Sequence, residues 1–275
     1  MSEPVRRYEG ATGTDTSLFG TFAPSRSQRM LIALGRNTPL RRGLFRKALT
    51  RMILALRGTP VDIMFRGCGF RLFGENNLIE YGLLLSPDYN KADLDFLIDG
   101  APSDATYIDI GANIGLYSLP LAKSAPNGRV IAIDANPQMI ERLLFNAQAS
   151  GVANLTAFGC AVSDASGMAG LNIRKNDVAI VSIEERTDGA IHVRTLASIL
   201  EQAGVTAIHG LKIDIEGHED KALVPFLDKA PAALLPQRIV IEHIRNVDYP
   251  GCAAAFKRLG YKIAGRTRNN SFHTI

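Results

Sequence analysis

The run Thr106-Tyr107-Ile108-Asp109-Ile110 passes directly into a loop, Gly111-Ala112-Asn113-Ile114-Gly115, and this junction constrains the fold more than any other part of the chain. β-Branched and aromatic residues favour a strand, and glycine lacks the Cβ that keeps backbone away from a ligand or a neighbouring loop. A strand, a glycine loop and a following helical pattern predict the strand–turn–helix unit of parallel α/β sheets. Such a unit brings backbone N–H groups and a helix N-terminus close to a ligand.

The same alternation continues downstream. Strands are expected at 106–110, 129–134, 156–162, 210–215 and 237–243, and helices at 115–124, 137–150, 194–204 and 218–229. This rhythm predicts an α/β fold, a mostly parallel sheet with helices on both faces. A helix near 251–259 and strands at 261–264 and 271–275, paired as a hairpin, would close it. Upstream, 61–73 reads as two short strands around Gly67-Cys68-Gly69, and 91–97 as a helix. Residues 168–193, with Gly and Asp turns, read as an insertion carrying short strands. Two units are expected: a basic, partly helical extension over 1–59 and one α/β domain over 60–275.

Charge separates these units. Residues 1–71 hold 13 Lys/Arg and 4 Asp/Glu, whereas the rest hold 18 and 23. Residues 1–27 are rich in Gly, Ser, Thr and Pro and are expected to be flexible. Residues 27–56 are helical in pattern, with a break near Asn37-Thr38-Pro39. From Leu44 to Leu56 the apolar and basic positions fall largely on different faces. Packing on its own domain or on a partner subunit is the first expectation for 26–57, and peripheral contact with an anionic membrane is the second. A homo-oligomer stays open. The cysteines (Cys68, Cys160, Cys252) lack CxxC spacing, which argues against a disulfide framework or structural zinc and for a reducing cytoplasm. No secretory core and no run of about 18 apolar residues is present, so no spanning helix is expected.

The loop spacing Asp109-x-Gly111-x-Asn113-x-Gly115 is not the G-x-G-x-x-G of a dehydrogenase. Nor is it a phosphate loop, because no Lys-Ser or Lys-Thr follows Gly115. A carboxylate before the first glycine would repel a pyrophosphate and suits a cationic sulfonium or ammonium ligand, which points to S-adenosylmethionine. Asp134 ends the next strand about 20 residues on, where an acid can hold both ribose hydroxyls. In Asp134-Ala135-Asn136-Pro137, Asn136 suits a helix N-cap and Pro137 the first helical position. The turn Ala161-Val162-Ser163-Asp164 lies where an adenine could be read.

Ile108-Asp109-Ile110-Gly111-Ala112-Asn113-Ile114-Gly115, Asp134-Ala135-Asn136-Pro137, Ala161-Val162-Ser163-Asp164 and Leu211-Lys212-Ile213-Asp214-Ile215-Glu216-Gly217-His218-Glu219 together resemble the FkbM-type methyltransferases. The resemblance covers about residues 60–275. It implies a class I, Rossmann-like methyltransferase fold with a mostly parallel seven-stranded sheet. It also implies S-adenosylmethionine as cofactor and O-methylation of sugars, glycolipids or polyketides. Carried over, Asp109, Gly111, Ala112, Asn113 and Gly115 would surround the methionine end. Asp134 and Ala135 would hold the ribose, although the family more often has Glu-Pro-Asn-Pro there. Val162 and Asp164 would lie near the adenine.

Lys212, Asp214 and Glu216 are spaced i, i+2, i+4 at a strand end, so they are expected on one side of the sheet. One reading is structural: Lys212 pairs with Asp214, and Glu216 caps the next helix. The other is chemical, because a hydroxyl acceptor must lose a proton during methyl transfer. Asp214 and Glu216 are the first catalytic candidates, followed by Glu242 and His243, with Lys212 beside them. Alternatively, Asp214 and Glu216 join Glu242 or His243 around Mg²⁺. The expected acceptor is a small molecule or glycan. Nucleic acid is not expected, since the body is acidic and no Asn-Pro-Pro-Tyr-type motif follows the fourth strand. A binding module without catalysis is the competing class, and the acids at 109, 134, 214 and 216 count against it. The acceptor pocket is expected from 60–96, 168–193 and the region after 243. With no Trp, stacking would fall to Tyr81, Tyr89 or Tyr249.

Overall fold

The structure, a computed structural model, describes residues 17–41, 43–74, 78–173, 181–185, 191–243 and 249–275. Helices α1 (Arg26–Arg36) and α2 (Gly43–Ala55) come first, separated by a short 3-10 turn at Pro39–Arg41. The α1 start is fixed by a capping box between Ser25 and Gln28. A hairpin of β1 (Val61–Phe65) and β2 (Cys68–Leu72) follows, then α3 (Leu78–Leu85) and α4 (Lys91–Ile98). The central frame starts with β3 (Thr106–Ile110), α5 (Ser118–Ser124), β4 (Arg129–Asp134), α6 (Pro137–Ala149) and β5 (Leu155–Gly159). The strands β6 (Ala161–Val162), β7 (Gly167–Ile173), β8 (Val181–Glu185) and β9 (Ile191–Arg194) form a separate four-stranded sheet. The chain then runs through α7 (Leu196–Gln202), β10 (Gly210–Ile213), α8 (Glu219–Lys229), β11 (Arg238–Glu242) and α9 (Pro250–Leu259). It ends in the hairpin of β12 (Lys262–Arg266) and β13 (Asn270–Thr274).

The main sheet has seven strands in the order β12-β13-β11-β10-β3-β4-β5, with β13 antiparallel to both of its neighbours and the remaining pairs parallel. This is the mostly parallel seven-stranded sheet that the resemblance implied. Strand order reverses between β3 and β10, where open α/β sheets bind ligands. Side-chain alternation divides the core in two. Ile108, Ile110, Ile131, Ile133, Leu211, Ile213, Ile239 and Ile241 pack with α7, α8 and α9 on one face. Tyr107, Val130, Ala132 and Val240 pack with α4, α5 and α6 on the other. Each such aliphatic side chain stabilises the fold by roughly 1.5–3 kcal/mol relative to exposure. Asp109 and Lys212, paired in register, interrupt the second face.

The basic segment is packed on the body: Ile32, Leu49, Ile53 and Leu54 share a core with Leu83, Leu84 and Leu85. Buried Arg71 and Asp62 form a 2.7 Å ion pair that also holds the backbone of Ser17 and Gly20. The expected flexibility of 1–27 falls largely on residues outside those described.

Several sequence expectations are corrected. Helix α3 was not foreseen, because Leu83, Leu84 and Leu85 are all buried and a helix covered on several sides loses its amphipathic period. The strand expected at 156–162 breaks at Cys160: β5 ends at Gly159, and Ala161–Val162 turn away to pair with β9. The strand expected at 210–215 ends at Ile213, and the helix expected from 115 starts at Ser118. Residues 174–180 and 186–190 of the expected 168–193 insertion, and residues 244–248 of the expected acceptor region, lie outside the described residues.

Candidate active site

Gly111 adopts φ +78°, and a Cβ there would lie 1.9 Å from the backbone oxygen of Asp214. Glycine therefore lets the loops after β3 and β10 touch. The loop's own N–H groups are consumed internally. Gly111 and Ala112 donate to the Ile133 carbonyl (2.9 and 3.0 Å), Asn113 to Asp134 Oδ2 (2.7 Å), Ile114 to Asn113 Oδ1 (2.9 Å) and Gly115 to the Ala112 carbonyl (3.0 Å). This corrects the expectation that they face a ligand. The loop turns back on β4, so its N–H groups from Gly111 to Gly115 are not offered to an anion. A cationic ligand without phosphate fits such a loop.

Above these strand ends lies a cavity of about 490 Å³, a size suited to a cofactor. Gly111, Ala112, Asn113, Asp134, Ala135 and Val162 line it. Asp134 is half-buried, and its second oxygen accepts from the Asn136 N–H at 2.8 Å. Burial pushes its carboxyl up to about 6, against the opposing pull of the Asn136 and Asn113 amides. Three proposed cofactor residues lie off this wall. Asp109 is fully buried (0%) behind the loop, accepting from Ser118 Oγ. Gly115 packs near Leu119 and Leu143. Asp164 is exposed and accepts from Ser163 Oγ at 3.0 Å.

Beneath the loop, the Lys212 ammonium donates to the Gly111 carbonyl at 3.1 Å and lies 3.3 Å from Asp214 Oδ2 and 3.9 Å from Asp109 Oδ1. Burial opposes its charge, but Asp214, Asp109 and Glu242 outweigh that effect and raise its pKa. Burial likewise disfavours charge on Asp214, yet Lys212 and a hydrogen bond with Glu242 hold its carboxyl below the usual range. Glu242 is the opposite case: burial and the adjacent Asp214 charge push it up to about 10. At neutral pH the pair is thus one carboxylate and one neutral acid. Asp214, Glu216 and Glu242 each bring a carboxylate oxygen within 4.8 Å of the others.

Glu216 reaches this group by a route the strand spacing did not predict. The strand has ended, and Glu216 sits in a left-handed turn at φ +55°. That turn is held by Glu219, which accepts from the N–H groups of Ile215 and Gly217, both at 2.9 Å. The helix that follows has His218 and not Glu216 at its N-cap. His243 donates its backbone N–H to the Asn269 carbonyl (2.6 Å), with its ring 6.5 Å from that of Tyr249. It does not line the cavity.

Residues 109–263, more than half of the chain, match the Methyltransferase FkbM domain. The chain belongs to the FkbM methyltransferase family. It is also 27% identical, over 182 residues, to the AMB antimetabolite synthetase AmbE of Pseudomonas aeruginosa. That match takes in 51% of this chain and spans only 8% of the relative's length. Among solved structures it is similar to the methyltransferase FkbM from Methylobacillus flagellatus, at 15% identity and TM-score 0.45 over 90% of this chain and 58% of that one. Another is a SAM-dependent methyltransferase from Agrobacterium tumefaciens, at 12% identity and TM-score 0.46 over 78% and 70%.

The cavity wall opposite the glycine loop of this FkbM-family chain comes from residues the sequence did not single out, apart from Tyr89. Asn90, in the left-handed region at φ +50°, donates through Nδ2 to the Tyr117 hydroxyl at 2.7 Å. Tyr117 donates to Asp93 Oδ2 at 2.7 Å, and Asn270 donates to the same oxygen. Asn270 lies opposite Glu242 in the β11–β13 register, and the Tyr117 ring sits 5.0 Å from the Lys212 ammonium. Burial raises the pKa of Asp93, against its bonds from Tyr117 and Asn270. An acid in the first turn of a helix is ordinary in sequence, so only its contacts reveal this network. Tyr81 and Tyr249 do not line the cavity, whereas Tyr89 does.

Proposed function

We propose that this methyltransferase modifies a hydroxyl oxygen of a small molecule or glycan. The observation that carries the reading is the Lys212–Asp214–Glu242 arrangement, a carboxylate kept ionised on the cavity wall by a buried ammonium, beside a carboxyl that keeps its proton. S-adenosylmethionine, when bound, supplies an electrophilic methyl group on sulfur. The hydroxyl must be held in line with that group and must shed its proton as the oxygen–carbon bond forms and the carbon–sulfur bond breaks. Asp214 is placed to accept that proton, leaving a methyl ether. Lys212 acts through Asp214 and the Gly111 carbonyl, tying the acceptor side to the glycine loop.

In this reading Gly111, Ala112 and Asn113 surround the methionine end, Asp134 and Ala135 the ribose, and Val162 the adenine. Asp109 acts from behind, through Lys212 and Ser118. After β10 the chain reads Asp214-Ile215-Glu216-Gly217, with no amino-methylating motif, which favours oxygen as the acceptor atom. The stretch shared with a protein named as an antimetabolite synthetase is in keeping with a small-molecule acceptor.

Incubation with methyl-labelled S-adenosylmethionine and panels of sugars, glycolipids, polyketide-type alcohols, amines and RNA tests the proposal. Methyl ethers support it, and label confined to amine or RNA overturns it. The spacing of Asp214, Glu216 and Glu242 favours a second reading, in which they hold Mg²⁺ that draws the hydroxyl to the cavity wall. Turnover lost to chelation and restored by Mg²⁺ supports it, and turnover indifferent to chelation removes it.

A further inference from the structure

Of the nine large apolar side chains exposed among the described residues, seven lie between Leu18 and Met64. Phe45 (66% exposed) and Met52 (47%) are spaced i, i+7, so they share one stripe of α2 that also carries Ala48 and Ala55, and the exposed Leu56 (50%) follows in the turn at the helix end. On α1, Met30 (69%) and Leu34 (48%) form a second exposed pair. Ile32 on α1 and Ile53 and Leu54 on α2 are buried on other sides of these helices, and the buried Leu49 borders the α2 stripe. The core therefore accounts for one apolar side of each helix and leaves the other unexplained.

The charge around these stripes has one sign. Between Asp15 and Asp62 the chain contains nine Arg or Lys and no carboxylate. Arg36 and Arg57 donate to the carbonyls of Leu84 and Ala23, which leaves their charge uncompensated. Eight of the nine are among the described residues, and none of those eight enters an ion pair. Arg26 and Arg29 are exposed beside Met30 on α1, and on α2 the exposed Lys47 and Arg51 form a flank that Ala48 and Ala55 join to the apolar stripe.

We infer that the outer face of α1 and α2 docks on an anionic lipid surface. An interfacial helix places Met, Leu and Phe at the acyl boundary while Arg and Lys meet lipid phosphates, and both halves of that requirement are met here. RNA would neutralise the cations but leave the Met, Leu and Phe side chains in water. The face adjoins the cavity: α3 packs on both helices and supplies Ile79 to the wall, and Arg46 lies close enough to Tyr89 to act on its phenol. Docking would therefore bring the acceptor side of the cavity close to hydroxyl groups carried at a membrane surface. No helix among the described residues is long and apolar enough to cross a membrane, so the contact is peripheral.

Co-sedimentation of the full chain with phosphatidylcholine vesicles, with and without phosphatidylglycerol, tests the inference. Binding to the anionic vesicles should exceed binding to the neutral ones by about tenfold or more and fall with added salt. The triple variant Phe45→Ser/Met52→Ser/Leu56→Ser and the variant Arg29→Gln/Lys47→Gln/Arg51→Gln should each lose that binding. Melting temperature and S-adenosylmethionine affinity should stay those of the native chain, since all six positions are exposed. Indifference to lipid charge overturns the inference. So does RNA binding without vesicle binding, or a solution dimer that the Ser variant dissociates in a chain that ignores vesicles.

Discussion

Lys212 and Asp214 lie two residues apart, with the ammonium 3.3 Å from the carboxylate, and this contact decides which acid of the site is charged. Lys212 also reaches the Gly111 carbonyl and the buried Asp109, so one side chain links the glycine loop to the proposed proton acceptor.

Removing that cation leaves Asp109 and Asp214 without their counter-charge. Lys212→Met should destabilise the fold by about 3–5 kcal/mol, the usual cost of stranding a buried partner. The deficit should shrink at low pH, as the stranded carboxylates take up protons. Urea unfolding at two pH values measures both effects, and a deficit that does not change with pH would mean the carboxylates are not what is stranded.

Gly111→Ala drives a methyl group into the Asp214 backbone and strains a backbone at φ +78°. A stability loss of about 2 kcal/mol or more is expected, because neither the oxygen nor the dihedral can yield cheaply. Calorimetry should show S-adenosylmethionine affinity falling in parallel. Retained affinity would show that contact between the two loops is not needed for the cofactor.

Asp214→Asn keeps the shape and removes the charge. Turnover should fall about 10²–10⁴-fold, the ordinary worth of a positioned base. Affinity for S-adenosylmethionine should stay nearly unchanged. Equal loss of affinity and turnover would assign Asp214 to the cofactor.

Glu242 is held at about 10 in the folded protein, whereas a free glutamate titrates near 4.3 (roughly). The folded state thus retains a proton that the unfolded chain releases. This contribution is fully present below about pH 4 and is lost as the pH rises towards 10. Asp134, raised to about 6, acts in the same direction over a lower window. Glu242→Gln mimics the protonated form at every pH. Its melting temperature should match the native protein's near pH 5 and exceed it increasingly towards pH 9. A constant difference would mean that Glu242 does not keep its proton in the folded state.

The sequence made the frame legible because strand and helix periods are local. The β-branched runs at 106–110 and 129–134 became β3 and β4, and Asn136-Pro137 became a helix start with Asn136 Oδ1 accepting from the Gln138 N–H at 3.0 Å. Asp214, Glu216 and Glu242 were singled out from strand-end positions, and the structure brings them together. What depends on long-range contact could not be read. Asp109 looks like a ligand residue beside its glycines, and only the register with Lys212 places it behind the loop. Asp93 and Asn270 are 177 positions apart and carry no motif, yet they share a hydrogen bond at the cavity wall. The break at Cys160 depends on β9, more than 30 residues downstream of β6, as a competing partner for Ala161–Val162.

The cavity has two walls of separate origin. One is made by β3, β4 and β10 strand ends, which the seven-stranded frame holds in place. The other comes from the approach to α4 and from the β12–β13 turn at its edge. A graft of segments 79–93 and 267–270 from a relative could therefore redirect what is methylated while donor use survives intact.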